Sequence, residues 1–104
     1  MPVSTPVTTR RRPIAVTSSR TAPAEWLDDE VVLLSGGQTL TLPVSAGRIT
    51  IKVLGAGAFV TSAAEVETGE VSGGAVVTSA APVPLLCVGE AVLLTSAGGP
   101  WYRV

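Results

Sequence analysis

Two glutamates, Glu65 and Glu67, are the first residues whose type and spacing could support chemistry. On a strand, residues two apart point to the same face, so their carboxylates would lie side by side. Paired carboxylates can exchange protons in acid–base catalysis or bind calcium. No third or fourth ligand accompanies them in the sequence. We therefore interpret the pair as a solvated strand edge whose like charges discourage unwanted strand addition.

Two further motifs lack the residues that their chemistry requires. The acidic run "LDDE" at residues 27–30 has neither the glycine nor the distal glutamate of a calcium-binding EF-hand loop. The stretch "GAGAFV" at residues 55–60 lacks the third glycine, the helix and the acidic partner of a dinucleotide-binding loop. The chain has no histidine, the usual general base and the commonest metal ligand. The sequence therefore predicts no catalytic residue, no metal, no cofactor and no enzymatic activity.

Cys87 is the single cysteine. It has no partner for a disulfide within the chain, and one thiol cannot build a cysteine-based zinc site. Because it lies in the apolar run "VPLLCVG", we expect it to be a small buried hydrophobic residue.

Charge is distributed unevenly along the chain. Residues 1–20 carry four arginines and no acid, whereas residues 21–104 carry three bases and all eight acids, a net charge of −5. Such a basic segment could dock on an acidic protein surface, bind nucleic acid phosphates, or remain a solvated tail. We favour a protein partner, which includes a neighbouring copy, because no aromatic residues interleave the arginines. The residues assigned to partner binding are Arg10, Arg11, Arg12, Ile14, Val16 and Arg20.

The composition favours burial against other chains. Hydrophobic residues make up 46% of the sequence, but charged residues make up only 14% and just four residues are aromatic. Small aliphatic side chains bury little area each, so a lone domain of this kind would be weakly stabilised. No stretch resembles a signal peptide, and no apolar run approaches the roughly 20 residues that span a bilayer, so we expect no membrane association.

Alternating apolar residues predict strands in the body of the chain. "QTLTLPV" and "RITIKVL" alternate in this way, and the intervening "SAG" predicts that they form a hairpin. Residues 1–24, rich in proline, are predicted to form an extended arm, and residues 25–104 a compact β domain. The predicted fold class is all-β, a small antiparallel sandwich or barrel-like module. The residues expected in its core or between copies are Trp26, Ile49, Ile51, Phe59, Trp101 and Tyr102.

The last sixteen residues, "GEAVLLTSAGGPWYRV", resemble the closing segment of small β modules found on tailed-bacteriophage virions. Upstream, "QTLTLPVSAGRITIKVLGAG" is similar to the start of such modules, so the resemblance covers roughly residues 37–104. The final turn departs from the pattern: the modules often carry Asp-Gly and Asn there, where this chain has Ser96 to Pro100. The resemblance implies a trimer that serves as a capsid decoration protein, a head fibre or a tail-fibre segment.

An arm followed by one compact head suits a capsid decoration (cement) protein. On this interpretation, the protein is made in the bacterial cytoplasm and binds the major capsid protein on the virion surface through its arm. Nucleic acid is not an expected partner. The alternatives are a tail, baseplate or fibre-attachment subunit, and a host-glycan-binding module. Glycan binding would need Trp101 and Tyr102 to be exposed, whereas we expect both to be largely buried, in the core or between copies.

Overall fold

The computed structural model describes residues 12–104, which form β-strands, turns and one short 3-10 helix, Ala24–Leu27. The strands of these residues are β1 (Ile14–Val16), β2 (Arg20–Thr21), β3 (Asp28–Leu34), β4 (Thr39–Leu42), β5 (Ala46–Val53), β6 (Ala58–Ser62), β7 (Val66–Ser72), β8 (Ala75–Ser79), β9 (Val83–Leu85), β10 (Ala91–Ala97) and β11 (Tyr102–Arg103). The predicted all-β class is confirmed. Within the described range, no helix is both long and apolar enough to cross a membrane.

Two sheets organise the chain. Sheet I has the strand order β1-β3-β5-β10-β11, and sheet II has the order β2-β4-β6-β9. Strands β1 to β6 alternate between the sheets, and each of β3 to β6 runs parallel to the strand two places before it. The chain therefore winds through three successive coils, and each coil adds one strand to each sheet. Buried side chains of both sheets form one apolar cluster.

Aliphatic residues stack from coil to coil on the buried side of each sheet. In sheet I, Val16 pairs with Leu34 on the next coil, and Leu34 pairs with Val53 on the coil after that. In sheet II, Leu40 pairs with Val60 in the same way. All five side chains are at most 1% exposed. The core is therefore built by a structural repeat one coil long. Buried aliphatic positions recur from coil to coil, although the residue types at those positions differ.

The predicted antiparallel arrangement is wrong for the coils, where the pairings are parallel. The predicted hairpin is also wrong, because β4 belongs to sheet II and β5 to sheet I. Both segments are strands with one buried face, as their alternation indicated. Alternation shows which face of a strand is buried, but it does not identify the neighbouring strand. Two consecutive strands in different sheets therefore show the same sequence pattern as the two strands of a hairpin.

The extended arm predicted for residues 1–24 needs correction over its second half. β1 pairs with β3 and β2 with β4, so these residues belong to the two sheets. Val16 and Ala22 are each 1% exposed and belong to the core. Strands of two or three residues are too short to show an alternating pattern, and the prolines around them suggested an extended segment instead. Residues 1–11 of the predicted arm lie outside the described part of the chain.

Gly36 shows how closely successive coils approach. A Cβ atom at Gly36 would lie 2.7 Å from the carbonyl oxygen of Ala56 and 3.1 Å from the Cα of Gly55. The neighbouring amide of Gly37 donates a hydrogen bond to the same Ala56 oxygen, at 3.0 Å. Only glycine fits at this contact between the turns of the second and third coils.

The C-terminal third closes both sheets with antiparallel strands. β9 pairs with β6, β10 with β5, and β11 with β10. Residues 86–90 between β9 and β10 form a turn, although they include part of the apolar run around Cys87. Cys87 is exposed in this turn, so the predicted burial of its side chain is wrong. Apolar composition alone did not distinguish this turn from a core strand.

Strands β7 and β8 form a hairpin of their own. Its turn is Gly73–Gly74, and both residues have positive φ angles, 62° and 81°, as tight two-residue hairpin turns require. Residues near the turn are exposed, including Val71 and Val76. The base of the hairpin lies against the C-terminal residues, where Val66 bridges to Trp101.

Candidate partner-binding surfaces

Glu65 and Glu67, the candidate catalytic pair, bind groups of their own chain. The Oε1 atom of Glu65 accepts a hydrogen bond from the Thr78 hydroxyl at 2.5 Å. The Oε1 atom of Glu67 accepts one from the backbone amide of Arg103 at 3.1 Å. Both side chains are half-buried rather than displayed on a solvated edge. Glu65 thus joins the residue before β7 to β8, and Glu67 joins β7 to the C-terminal strand β11.

The acidic run at residues 27–30 lies where the 3-10 helix leads into β3. Asp29 contacts Arg48 at 3.9 Å, and both side chains are mostly exposed, so this ion pair contributes little to stability. Asp29 has a φ angle of 62° at an irregularity in the pairing of β3 with β5. Among residues 12–104, no three or more histidine, cysteine, aspartate or glutamate side chains group together as metal ligands.

The residues assigned to the basic arm occupy three different settings. Arg10 and Arg11 lie outside the described residues, and Arg12 is exposed. Ile14 is half-buried and packs against the core, and Val16 is part of it. The side chain of Val16 therefore lies within its own chain and cannot contact another protein.

Arg20 is exposed, and its guanidinium lies over the ring of Trp26, with 4.5 Å between the guanidinium carbon and the ring centroid. This is a cation–π contact between β2 and the 3-10 helix. Trp26 is half-buried and packs against the apolar cluster. The contact joins the first coil to the segment that leads into the second.

The C-terminal aromatic residues face opposite ways. Trp101 is 0% exposed, and its indole Nε1 donates a hydrogen bond to the carbonyl oxygen of Pro43 at 3.1 Å. Its backbone also joins the hairpin, because its amide donates to Glu65 and its carbonyl accepts from Glu67. Tyr102, the next residue, is 41% exposed. Of the other residues expected in the core or between copies, Ile49 and Ile51 are fully buried and Phe59 is half-buried.

The outer face of sheet I carries an apolar surface that the sequence analysis missed. Register places Val31, Thr50 and Leu93 in one row across β3, β5 and β10. Val104 extends the row, because its amide donates to the carbonyl of Leu93. Val31 is 39% exposed and Val104 is 77% exposed. A signal was present in "VVLL" at residues 31–34, because a run that is apolar at every position indicates a strand with apolar residues on both faces.

A second apolar surface lies in the turn at residues 86–88. Leu86 is 82% exposed, the largest value among the exposed large hydrophobic residues, and Val88 is also exposed. The turn is ordered by a hydrogen bond from the amide of Glu90 to the carbonyl of Cys87 and one from Gly89 to Val53. Leu54, next to that last bond, is exposed as well.

Comparison with known proteins gave no family model, no curated protein and no solved structure that matches this chain.

Proposed function

We propose that this protein is a non-catalytic structural protein of a tailed-bacteriophage virion, a capsid decoration protein that binds the major capsid protein and assembles with copies of itself. The observation that carries the proposal is the closing segment, residues 89–104, with its resemblance to virion β modules. In the structure this segment supplies β10, the Gly-containing turn, the core residue Trp101 and β11. The trimer and the β-sandwich architecture are parts of the same proposal.

The position of the basic segment supports attachment through the N-terminus. Arg10, Arg11 and Arg12 immediately precede β1, the first strand in the order of sheet I. β2 has the same terminal place in sheet II. A capsid strand could add to such an edge while its carboxylates pair with the arginines in bidentate geometry. The segment would then link the compact body to the capsid, so that particle expansion under DNA pressure breaks additional contacts.

The roles of the polar candidates support a function without catalysis. Glu65 and Glu67 bind Thr78 and Arg103, so they serve the hairpin. Burial of Trp101 removes one of the two aromatic rings that a C-terminal glycan site would use. Exposed apolar side chains lie on sheet I, on the β7–β8 hairpin and in the turn at residues 86–88, where protein partners would be their natural cover.

The test is a heat challenge of purified particles with and without the protein. Particles that carry it should release DNA at a higher temperature, and equal release temperatures would contradict the decoration role. A variant with Arg10, Arg11 and Arg12 changed to alanine should bind capsids more weakly in co-sedimentation. Arg48→Ala, which removes an exposed arginine of the body, is the matched control and should bind as the wild type does.

A further inference from the structure

We propose that the free edge of strand β8 binds an extended segment of the major capsid protein, which adds to the β7–β8 hairpin as a third strand. The inference rests on the proposed function and deepens it, because it assigns a second contact with the capsid beside that of the N-terminal segment. Among residues 12–104, β8 combines length, absence of charge and an unpaired edge as no other strand does.

The other edge strands among these residues are short, interrupted or occupied. β1 and β2, at the end already proposed for attachment, contain three and two residues, and β11 contains two. β9 contains three residues, one of which is Pro84, and proline has no N–H group. On β7, the carbonyls of Glu67 and Thr68 accept hydrogen bonds from the Arg103 guanidinium. The pairing of β7 with β8 also shifts register between Glu67 and Val71. Such features protect edges from strand addition.

Strand β8, with the sequence "AVVTS", lacks this protection. Its five residues include no proline and no charge, and Glu70 is the only charged residue from position 68 to position 89. Within the described part of the chain, β7 and β8 form a sheet of two strands. A hairpin of two strands is marginally stable in water, and a third strand stabilises it.

The backbone of β8 presents hydrogen-bonding groups to the outside of the hairpin. The carbonyl oxygen of Val77 accepts a hydrogen bond from the Thr68 hydroxyl of β7 at 3.1 Å, so the backbone groups of Val77 face β7. Successive residues of a strand direct their N–H and C=O groups to opposite sides, so those of Val76 and Thr78 face away from β7. The Thr78 hydroxyl donates to Glu65 at 2.5 Å, which fixes this edge before a partner binds. The groups that face outward are those that an added strand would pair with.

The side chains beside this edge indicate the chemistry of the added segment. Val76 pairs with Val71 across the hairpin, and the two side chains are 47% and 71% exposed on one face. A segment with β-branched or other apolar residues at alternate positions would continue this face and cover both valines. Because β8 carries no charge, the segment differs from the carboxylates proposed to pair with the N-terminal arginines.

Strand β8 of a second copy has a similar composition. Pairing of β8 with β8, however, is two-fold and joins copies in pairs, so it cannot build the proposed trimer. The segment is therefore assigned to the capsid protein, the other partner in the proposed function.

Hydrogen exchange of the full chain, free and bound to purified capsids that lack it, tests the edge directly. Exchange is stopped with acid, and the peptides that cover residues 75–79 are measured by mass spectrometry. The amides of Val76 and Thr78 should exchange at least about tenfold more slowly in the bound chain, because each gains a hydrogen-bond acceptor.

Substitutions at Val76 test the same edge by co-sedimentation with capsids. Val76→Pro removes the outward N–H group, at a kind of position where edge strands tolerate proline, and should weaken binding at least about tenfold. Val76→Thr is the matched control: it keeps the N–H group and a β-branched side chain, and should bind within about twofold of the wild type. Circular dichroism verifies folding, and Val76→Lys, which places a charge on the edge, replaces Val76→Pro if that variant does not fold.

The outcomes separate this inference from the proposed function. Capsid binding with unchanged exchange at residues 76 and 78, or equal binding of Val76→Pro and Val76→Thr, would overturn the inference and leave the decoration role intact. Association of copies without capsids that Val76→Pro abolishes would identify a second copy as the occupant and would also overturn it. A wild-type chain that does not bind capsids would contradict the decoration role and this inference together.

Discussion

Replacing Trp101 by alanine removes the largest fully buried side chain among the described residues. Truncation of a buried tryptophan to alanine costs about 3–5 kcal/mol, through lost burial and the cavity that remains. The indole also donates to the carbonyl of Pro43 at 3.1 Å, and loss of a net hydrogen bond adds about 1 kcal/mol. Domains of this size have stabilities of about 5–15 kcal/mol, so Trp101→Ala should leave a marginally folded chain.

Two further variants separate the contributions of this residue. Trp101→Phe keeps most of the apolar volume but has no N–H group, so it should cost about 1–3 kcal/mol, mainly from the unpaired Pro43 carbonyl. Tyr102→Ala is the neighbouring control: its side chain is 41% exposed, and we expect a loss below about 1 kcal/mol.

Urea denaturation followed by far-ultraviolet circular dichroism measures these costs as changes in the free energy of unfolding. The expected order of loss is Trp101→Ala, then Trp101→Phe, then Tyr102→Ala. Deletion of residues 101–104 should abolish folding or assembly. A folded, assembled chain without those residues, or equal losses for Trp101→Ala and Tyr102→Ala, would refute the reasoning that Trp101 completes the core.

Three further predictions test other parts of the structure. Gly36→Ala should destabilise the fold by about 1–3 kcal/mol because the new Cβ meets backbone of the next coil, whereas Gly99→Ala, with no atom within 4 Å, should be nearly neutral in the same urea titration. Arg103→Ala removes hydrogen bonds from the guanidinium to the carbonyls of residues 67 and 68, so amides of β7 and β8 should exchange with solvent about fivefold faster, and equal exchange would contradict this contact. Cys87 should react completely with a thiol reagent in the native protein, whereas reaction only after unfolding would mean that it is buried.

The sequence predicted the individual strands of the body better than their partners. Alternation predicted strands in "QTLTLPV" and "RITIKVL", and Ile49 and Ile51, which were expected in the core or between copies, are buried on β5. It could not show that these strands enter different sheets, because the alternating pattern of a strand does not depend on which strand lies beside it. The repeat from coil to coil was similarly hidden. It matches aliphatic to aliphatic positions although the residue types differ, and the links from one coil to the next differ in length, with six residues between β2 and β3 but three between β4 and β5.

The candidate surfaces were harder to predict than the core. A basic segment is visible in the sequence, but burial of Val16 depends on a parallel pairing with β3, which is distant in sequence. Exposure of Cys87 depends on a turn held by the Gly89 amide and the Val53 carbonyl, again a distant contact. The outer face of sheet I arises only when register places Val31 beside Thr50 and Leu93. Predicting a surface that is assembled from separate strands therefore requires the strand register as well as the sequence.

A map of the whole virion by electron cryomicroscopy tests the central claim most directly. The account predicts density for this chain on the outer surface of the capsid, between neighbouring capsomers, with its N-terminal segment against the major capsid protein. Density confined to the tail or baseplate, or its absence from the particle, would contradict the decoration role.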